Sequence, residues 1–260
     1  MTELRFHPMP DGRRIAFRIL PGGLDDAGPT LVFLPGYKSD MSGSKAQAVM
    51  DWAQAQGRAC LLLDYSGCGQ STGLFADGTL SRWADEVVAL VETFCVGQIA
   101  LIGSSMGGWL MLIAALRLGK RVASLVGIAP APDFTTWGLA AADKAALAVG
   151  RMVLAENPYG PEPTPTHPGF YADAQAHLLL DAPIVFDGPV RLLHGQADGD
   201  VPWQISIRLA AALRSADVQV QLIKDGDHRL SRAADIVLLL RTIATLPSAK
   251  TLPRRAADPI

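Results

Sequence analysis

Gly103-Ser104-Ser105-Met106-Gly107 spells G-x-S-x-G, the spacing of a serine held on a sharp turn between a strand and a helix. Backbone crowding at such a turn requires small neighbours, which Gly103 and Gly107 supply, and Gly108 lets the outgoing helix approach the sheet. The helix N-terminus puts positive potential beneath an incoming oxyanion. A serine hydroxyl is a weak nucleophile until an imidazole takes its proton, and that imidazole needs a carboxylate to fix its tautomer. The chain has five histidines, His7, His167, His177, His194 and His228. His228, in Lys224-Asp225-Gly226-Asp227-His228-Arg229, follows an apolar run ending at Ile223, on a loop where a base can serve two proton-transfer partners. It is the expected base. His194 ends a strand before Gly195 and is read as shaping that turn, while His177 is a candidate substrate contact. His7 and His167 carry no signal.

In the chain order that accompanies this turn, the acid lies between the serine and the histidine. His194-Gly195-Gln196-Ala197-Asp198-Gly199-Asp200-Val201-Pro202 offers two candidates. Asp200 precedes Val201-Pro202 and a helical pattern, an N-cap position. Asp198 has no such local use and is the expected acceptor for the Nδ1 proton of His228. Asp227 adjoins the base in sequence, where side chains diverge. The developing oxyanion needs backbone donors, expected from the N–H groups of Met106 and Tyr37, with Gly36 bending the Leu34-Pro35-Gly36-Tyr37 loop toward Ser105. Losing one such donor costs about 3 kcal/mol in the transition state. Tyr37, Trp109, Trp137, Met152, Phe170 and Tyr171 favour an apolar acyl group as a set, with Trp109 and Trp137 taken as substrate contacts beside His177.

Two nucleotide-binding readings fail in detail. Gly103 and Gly108 have P-loop spacing, but Trp109-Leu110 stand where Lys and Ser/Thr belong. In Gly67-Cys68-Gly69-Gln70-Ser71-Thr72-Gly73 the third glycine falls one residue late for a dinucleotide fingerprint, and no helix opens on the loop.

These residues need a frame. Residues 4–7 and 13–20 read as a hairpin around Pro10-Asp11-Gly12. Short apolar strands follow at 30–34, 58–64, 99–102, 122–128, 189–194 and 218–223. Helical patterns lie between or after them at 44–56, 80–94, 106–118, 203–213 and 230–244, with Thr79 or Ser81 capping the second. This alternation predicts an α/β fold, a mostly parallel twisted sheet with helices on both faces. Residues 130–188 break the rhythm with a proline-rich stretch and one helical run at 140–154. They read as a cap insertion between core segments 1–129 and 189–246, with 247–260 as a frayed tail.

Among the 260 residues 49% are hydrophobic and 18% charged, which implies a thick core and excludes wholesale disorder. Twenty-three Lys and Arg against 25 Asp and Glu leave a net charge of −2, no basic field for nucleic acid. The stretch between Glu92 and Arg117 is uncharged and about as long as a spanning helix. The glycines and serines at its middle divide it into two short buried elements instead. Three cysteines without a C-x-x-C pair point to a reducing cytoplasm rather than a disulfide scaffold or zinc site.

Phe33-Leu34-Pro35-Gly36-Tyr37, Asp64-Tyr65-Ser66-Gly67, residues 103–112, Arg191-Leu192-Leu193-His194-Gly195 and Asp227-His228-Arg229 together resemble the α/β-hydrolase superfamily. More narrowly they resemble the mitochondrial palmitoyl-protein thioesterase subgroup whose members also cleave acyl glucuronides. The resemblance covers roughly residues 30–130 and 180–245. It implies a Ser105, Asp198, His228 triad acting on an acyl ester, thioester or acylated protein. The expected reaction runs through an acyl-enzyme, without metal or organic cofactor. Perhydrolysis or acyl transfer on the same triad, general carboxylesterase activity and a non-catalytic binding protein of this fold are the alternatives.

Overall fold

Apolar runs without alternation belong to strands covered on both faces. In the computed structural model, which describes residues 2–23 and 28–246, those runs form the middle of an eight-stranded sheet. The chain enters through β1 (Arg5–Pro8) and β2 (Arg14–Leu20), then runs through β3 (Thr30–Leu34), α1 (Ser44–Ala55), β4 (Cys60–Leu63), α2 (Leu80–Phe94), β5 (Ile99–Ser104), α3 (Met106–Leu118) and β6 (Val122–Ile128). After β6 come α4 (Phe134–Trp137), α5 (Ala141–Ala148), β7 (Val153–Ala155), β8 (Thr164–Thr166) and α6 (Pro168–Gln175). The main alternation resumes with β9 (Val190–Gly195), α7 (Gln204–Ala212), β10 (Val218–Ile223) and α8 (Ala233–Ala244).

Strand order is β1-β2-β4-β3-β5-β6-β9-β10. From β4 to β10 all neighbours are parallel, and the β1–β2 hairpin joins the β4 side through antiparallel pairs. Every residue of β3, β4 and β5 is buried, which explains why these strands carry no polar-out alternation.

Two apolar clusters lie on opposite faces of the sheet. One gathers Val32, Leu101 and Leu125 with Trp83 and Val87 of α2 and Trp109 of α3; the other gathers Leu31, Phe33 and Ile102 with Val49 of α1 and Leu239 of α8. Alternate residues of one strand feed opposite clusters, as the two-residue side-chain period requires. At about 1.5–3 kcal/mol per large apolar side chain removed from water, this double burial fixes strand register firmly. Helix α3 is buried almost all round, so its apolar run is core-forming. The uncharged stretch from Glu92 to Arg117 is divided between β5 and α3, and among the described residues no helix is long and apolar enough to cross a membrane.

The segment between β6 and β9, read as holding one helical run, contains three short helices and a two-stranded sheet. The helical run expected over 140–154 stops at Ala148, Gly150 turns the chain with φ +81°, and Val153–Ala155 pairs antiparallel with Thr164–Thr166. A short apolar run is ambiguous between helix and strand, and here the partner across the proline-rich loop decides it. Thr79 caps α2, accepting from the Arg82 N–H at 3.1 Å. The expected frayed tail, 247–260, lies outside the described residues.

Glu86 on α2 is completely buried and joins the hairpin to the loop after β4. It pairs with Arg13, and its other oxygen accepts from the Ser66 N–H at 2.9 Å. Glu86→Ala leaves Arg13 its Asp11 partner but deprives the buried Ser66 N–H of its acceptor, so it is expected to lower the unfolding free energy by about 2 kcal/mol, measured by urea denaturation. A loss under about 1 kcal/mol would contradict this role.

Candidate active site

Because β3, β5, β9 and β10 run parallel, the loops after them leave the same edge of the sheet. Their last pairings, Leu34 with Gly103, Ser104 with Ile128, Ile128 with Leu193 and Ile223 with Gly195, put those loops in one row. Chain order reverses between β3 and β5, so a crevice forms there, the usual ligand position in such sheets.

Ser105 sits at this crevice with φ +55° and ψ −122°, a left-handed backbone that costs a non-glycine residue about 1–3 kcal/mol. The surroundings over-determine it. Its N–H donates to Ile128 O at 2.9 Å, and its carbonyl accepts from Gly108 and Ala131 N–H at 2.8 and 3.0 Å. A Cβ on Gly103 would lie 2.3 Å from Gly107 O, and one on Gly107 only 2.1 Å from Leu34 O. No side chain fits at either position, which is the physical content of the G-x-S-x-G spacing.

His228 Nε2 lies 3.0 Å from Ser105 Oγ, and its Nδ1 lies 2.9 Å from Asp198 Oδ2. A carboxylate only accepts, so Nδ1 carries the proton and Nε2 is left to accept from the serine hydroxyl. The Asp198 side chain is fully buried and that of His228 nearly so. Burial pushes the Asp198 carboxyl up, but hydrogen bonds from His194 and His228 and the field of His228 outweigh it. They hold the group well below the usual carboxylate range.

Asp198 also has the local use that the sequence withheld from it: Oδ1 accepts from the N–H groups of Asp200 and Val201 at 2.9 and 2.8 Å. Asp200 is not the N-cap of α7; Trp203 stands there, and the Asp200 carboxylate instead accepts from the Tyr159 hydroxyl at 2.6 Å. One potential ligand atom from each of Asp198, Asp200 and His228 lies within 4.8 Å of the others. Asp198 and His228 are already engaged with each other.

The loop after β3 lies against the serine, since a Cβ on Gly36 would be 3.4 Å from Ser105 Cβ. Tyr37 follows Gly36 on this loop, and Met106 follows the serine as the first residue of α3. The Tyr37 ring packs against Phe75 and Phe170, and its hydroxyl donates to Pro165 O at 3.1 Å, tying this loop to β8.

The three expected substrate contacts are not brought to the crevice. Trp109 is wholly buried, its indole N–H donating to His177 O at 2.9 Å. Trp137 donates to Pro132 O at 2.8 Å. His177 Nε2 is 2.7 Å from Ser81 Oγ at the start of α2. Each amphipathic side chain has its polar end satisfied inside the fold, the commoner fate of such residues near a core.

A cavity of about 550 Å³ opens on Ser105 and His228, and Lys38, Lys45, Tyr159 and Arg229 line it. Lys45 donates to Arg229 O and Ser231 Oγ, and burial pushes its ammonium down to about 8. Arg229 stacks over the Tyr159 ring, 5.3 Å from its centroid. Lys38, Lys45 and Tyr159 belong to no recognisable spacing, and only the fold brings them beside Arg229.

The chain matches the family model described as alpha/beta hydrolase fold over residues 29–159. It is 37% identical over 252 residues to the human palmitoyl-protein thioesterase ABHD10, mitochondrial, spanning 94% of this chain and 80% of that one. The mouse protein of the same name is 41% identical over 223 residues, 84% of this chain and 75% of that one. Among solved structures, mouse alpha/beta hydrolase domain-containing protein 10 superimposes with a TM-score of 0.85 at 37% identity, covering 93% of this chain and 97% of that one. A chain from Agrobacterium vitis S4 gives 0.86 at the same identity, with 94% and 97% covered. Sheet order, strand-to-helix serine turn and these likenesses converge: the chain belongs to the α/β hydrolase family.

Proposed function

We propose that the protein is a serine hydrolase that cleaves carboxylic thioesters or esters through an acyl-enzyme on Ser105. The observation that carries this reading is the continuous contact Asp198–His228–Ser105, with both links at or below 3.0 Å. His228 takes the hydroxyl proton as Ser105 Oγ attacks the acyl carbon, and Asp198 stabilises the imidazolium that forms. The N–H groups of Met106 and Tyr37 bind the oxyanion. As the tetrahedral intermediate collapses, His228 returns the proton to the leaving thiol or alcohol. Water then repeats the two steps on the acyl-enzyme and frees the acid. These steps call on no metal or organic cofactor.

The substrate class rests on one support. The curated relatives are named palmitoyl-protein thioesterases, which favours an acyl thioester, small or protein-borne. Lys38, Lys45 and Arg229 line the cavity together with Asp40, Glu156 and Asp200, so its charges balance and favour neither an anionic nor a neutral leaving group. Residues 130–188 act as a cap in this reading, since Tyr159 and Pro165 reach the loops that carry Asp200 and Tyr37. A reducing, cytoplasmic setting fits Cys60, Cys68 and Cys95, all free and buried; the mitochondrial placing belongs to the named relatives.

A panel of acyl-thioesters, neutral esters and acyl glucuronides of matched chain length tests the reading. Turnover of thioesters or esters is expected, and the panel ranks the leaving groups. Absence of turnover across the panel would overturn the proposal.

A further inference from the structure

His194 is the last-but-one residue of β9, completely buried, and its two ring nitrogens face different partners. Nε2 donates to Val201 O at 3.0 Å and stands in close contact with Asp198 Oδ2, 3.2 Å away. Both are acceptors, so Nε2 carries the proton. Nδ1 is then the lone-pair nitrogen, and Ser206 Oγ on α7, 2.7 Å away and equally buried, donates to it. A single tautomer satisfies all three contacts.

The consequence reaches the reacting atoms. Asp198 Oδ2 is the oxygen that accepts from His228 Nδ1, so His194 and His228 approach the same oxygen while the backbone of Asp200 and Val201 holds the other. Without His194 the carboxylate would keep its backbone anchor but lose the group that restrains Oδ2 from the core side. A buried polar side chain whose hydrogens are all assigned is well suited to such restraint. The sequence reading, which gave His194 only a turn, missed this because Ser206 stands twelve residues on in another element.

We propose that His194, locked by Ser206, is a positioning residue for the hydrolytic reaction, restraining the Asp198 oxygen that orients His228. The proposal rests on the serine-hydrolase reading above. His194 touches neither substrate nor nucleophile, so it acts through Asp198.

The test compares wild type, His194→Leu, His194→Gln, Ser206→Ala and Ser105→Ala with one ester and one thioester, beside thermal unfolding of each. His194→Leu is expected to lose severalfold in kcat, the scale of losing one close polar contact at a buried carboxylate, with KM within about twofold of wild type. Gln puts an amide N–H where Nε2–H stood, so His194→Gln should recover most of that loss. Ser206→Ala keeps the ring but frees its tautomer. It should lower kcat severalfold and move the acid limb of the kcat/KM profile to higher pH, because the Asp198 carboxylate is then less offset by the His194 donor and favours the imidazolium more. Asp200, Asp227, Arg229 and Tyr159, the other ionisable groups around this site, are the same in every variant. Equal losses in the Leu and Gln variants, or a folded Leu variant at wild-type kcat, would overturn the proposal. If neither His194 variant folds, Ser206→Ala decides alone, and an unchanged kcat with an unmoved acid limb overturns it. Residual activity in Ser105→Ala would count against the underlying reading instead, so the two failures are distinguishable.

Discussion

Ser105→Ala is expected to lose about 10⁴-fold or more in kcat for esters and thioesters alike, because members of a triad act as a unit. The folded structure should survive the change. Alanine keeps the Cβ that the +55° backbone already accommodates, and the lost hydroxyl contact to His228 costs about 1 kcal/mol at most. Ser105→Gly gives the sharper contrast. Glycine relaxes the left-handed strain, so this variant should be equally inactive yet more stable than Ser105→Ala by about 1 kcal/mol. Matched kcat measurements and urea midpoints check both halves. A Gly variant less stable than the Ala variant would mean that the turn is not strained as argued.

Asp198→Asn is expected to be nearly as damaging, about 10⁴-fold in kcat, for a reason specific to this loop. The N–H groups of Asp200 and Val201 both point at Oδ1, so the amide must keep its oxygen there and turn its NH2 toward His228. Facing a donor, His228 shifts its proton to Nε2 and can no longer accept from Ser105, the wrong-tautomer loss known from serine proteases. The same NH2 confronts the Nε2–H of His194, so stability falls too. That loss has a pH signature. Asp198 titrates below the unfolded carboxylate range in the native protein, so its contribution is complete above pH ~4 and fades as pH falls below it. The stability gap between wild type and Asp198→Asn should therefore narrow between pH 7 and pH 3, measured by denaturant midpoints. A constant gap would contradict the hydrogen-bonded carboxylate described.

The parts of this site legible in the sequence are those imposed by backbone sterics and chain order. Gly103 and Gly107 announce the serine turn because no larger residue fits, and strands and helices with strong periodicity fall within a few residues of where their patterns put them. The sequence favours Asp198 over Asp200 partly because it shows no local role there. In fact it ties its own loop and faces His228, because a carboxylate has two oxygens to give. The side chains read as substrate contacts, Trp109, Trp137 and His177, were not legible. Aromatic and imidazole groups are amphipathic, and which way they turn is decided by partners such as Pro132 O and Ser81, distant in logic if not always in sequence. The pairings Tyr159 with Asp200 and Lys45 with Arg229 O and Ser231 join segments through the fold alone, and no spacing rule reports them.

The most direct test of the central claim is to treat the purified protein with a fluorophosphonate and locate the adduct by peptide mass spectrometry. The account predicts one covalent phosphonyl group, on Ser105 and not on neighbouring Ser104, absent from Ser105→Ala and slowed severely by Asp198→Asn. An adduct at another residue, or hydrolytic turnover by protein in which Ser105 stays unlabelled at saturating reagent, would contradict it.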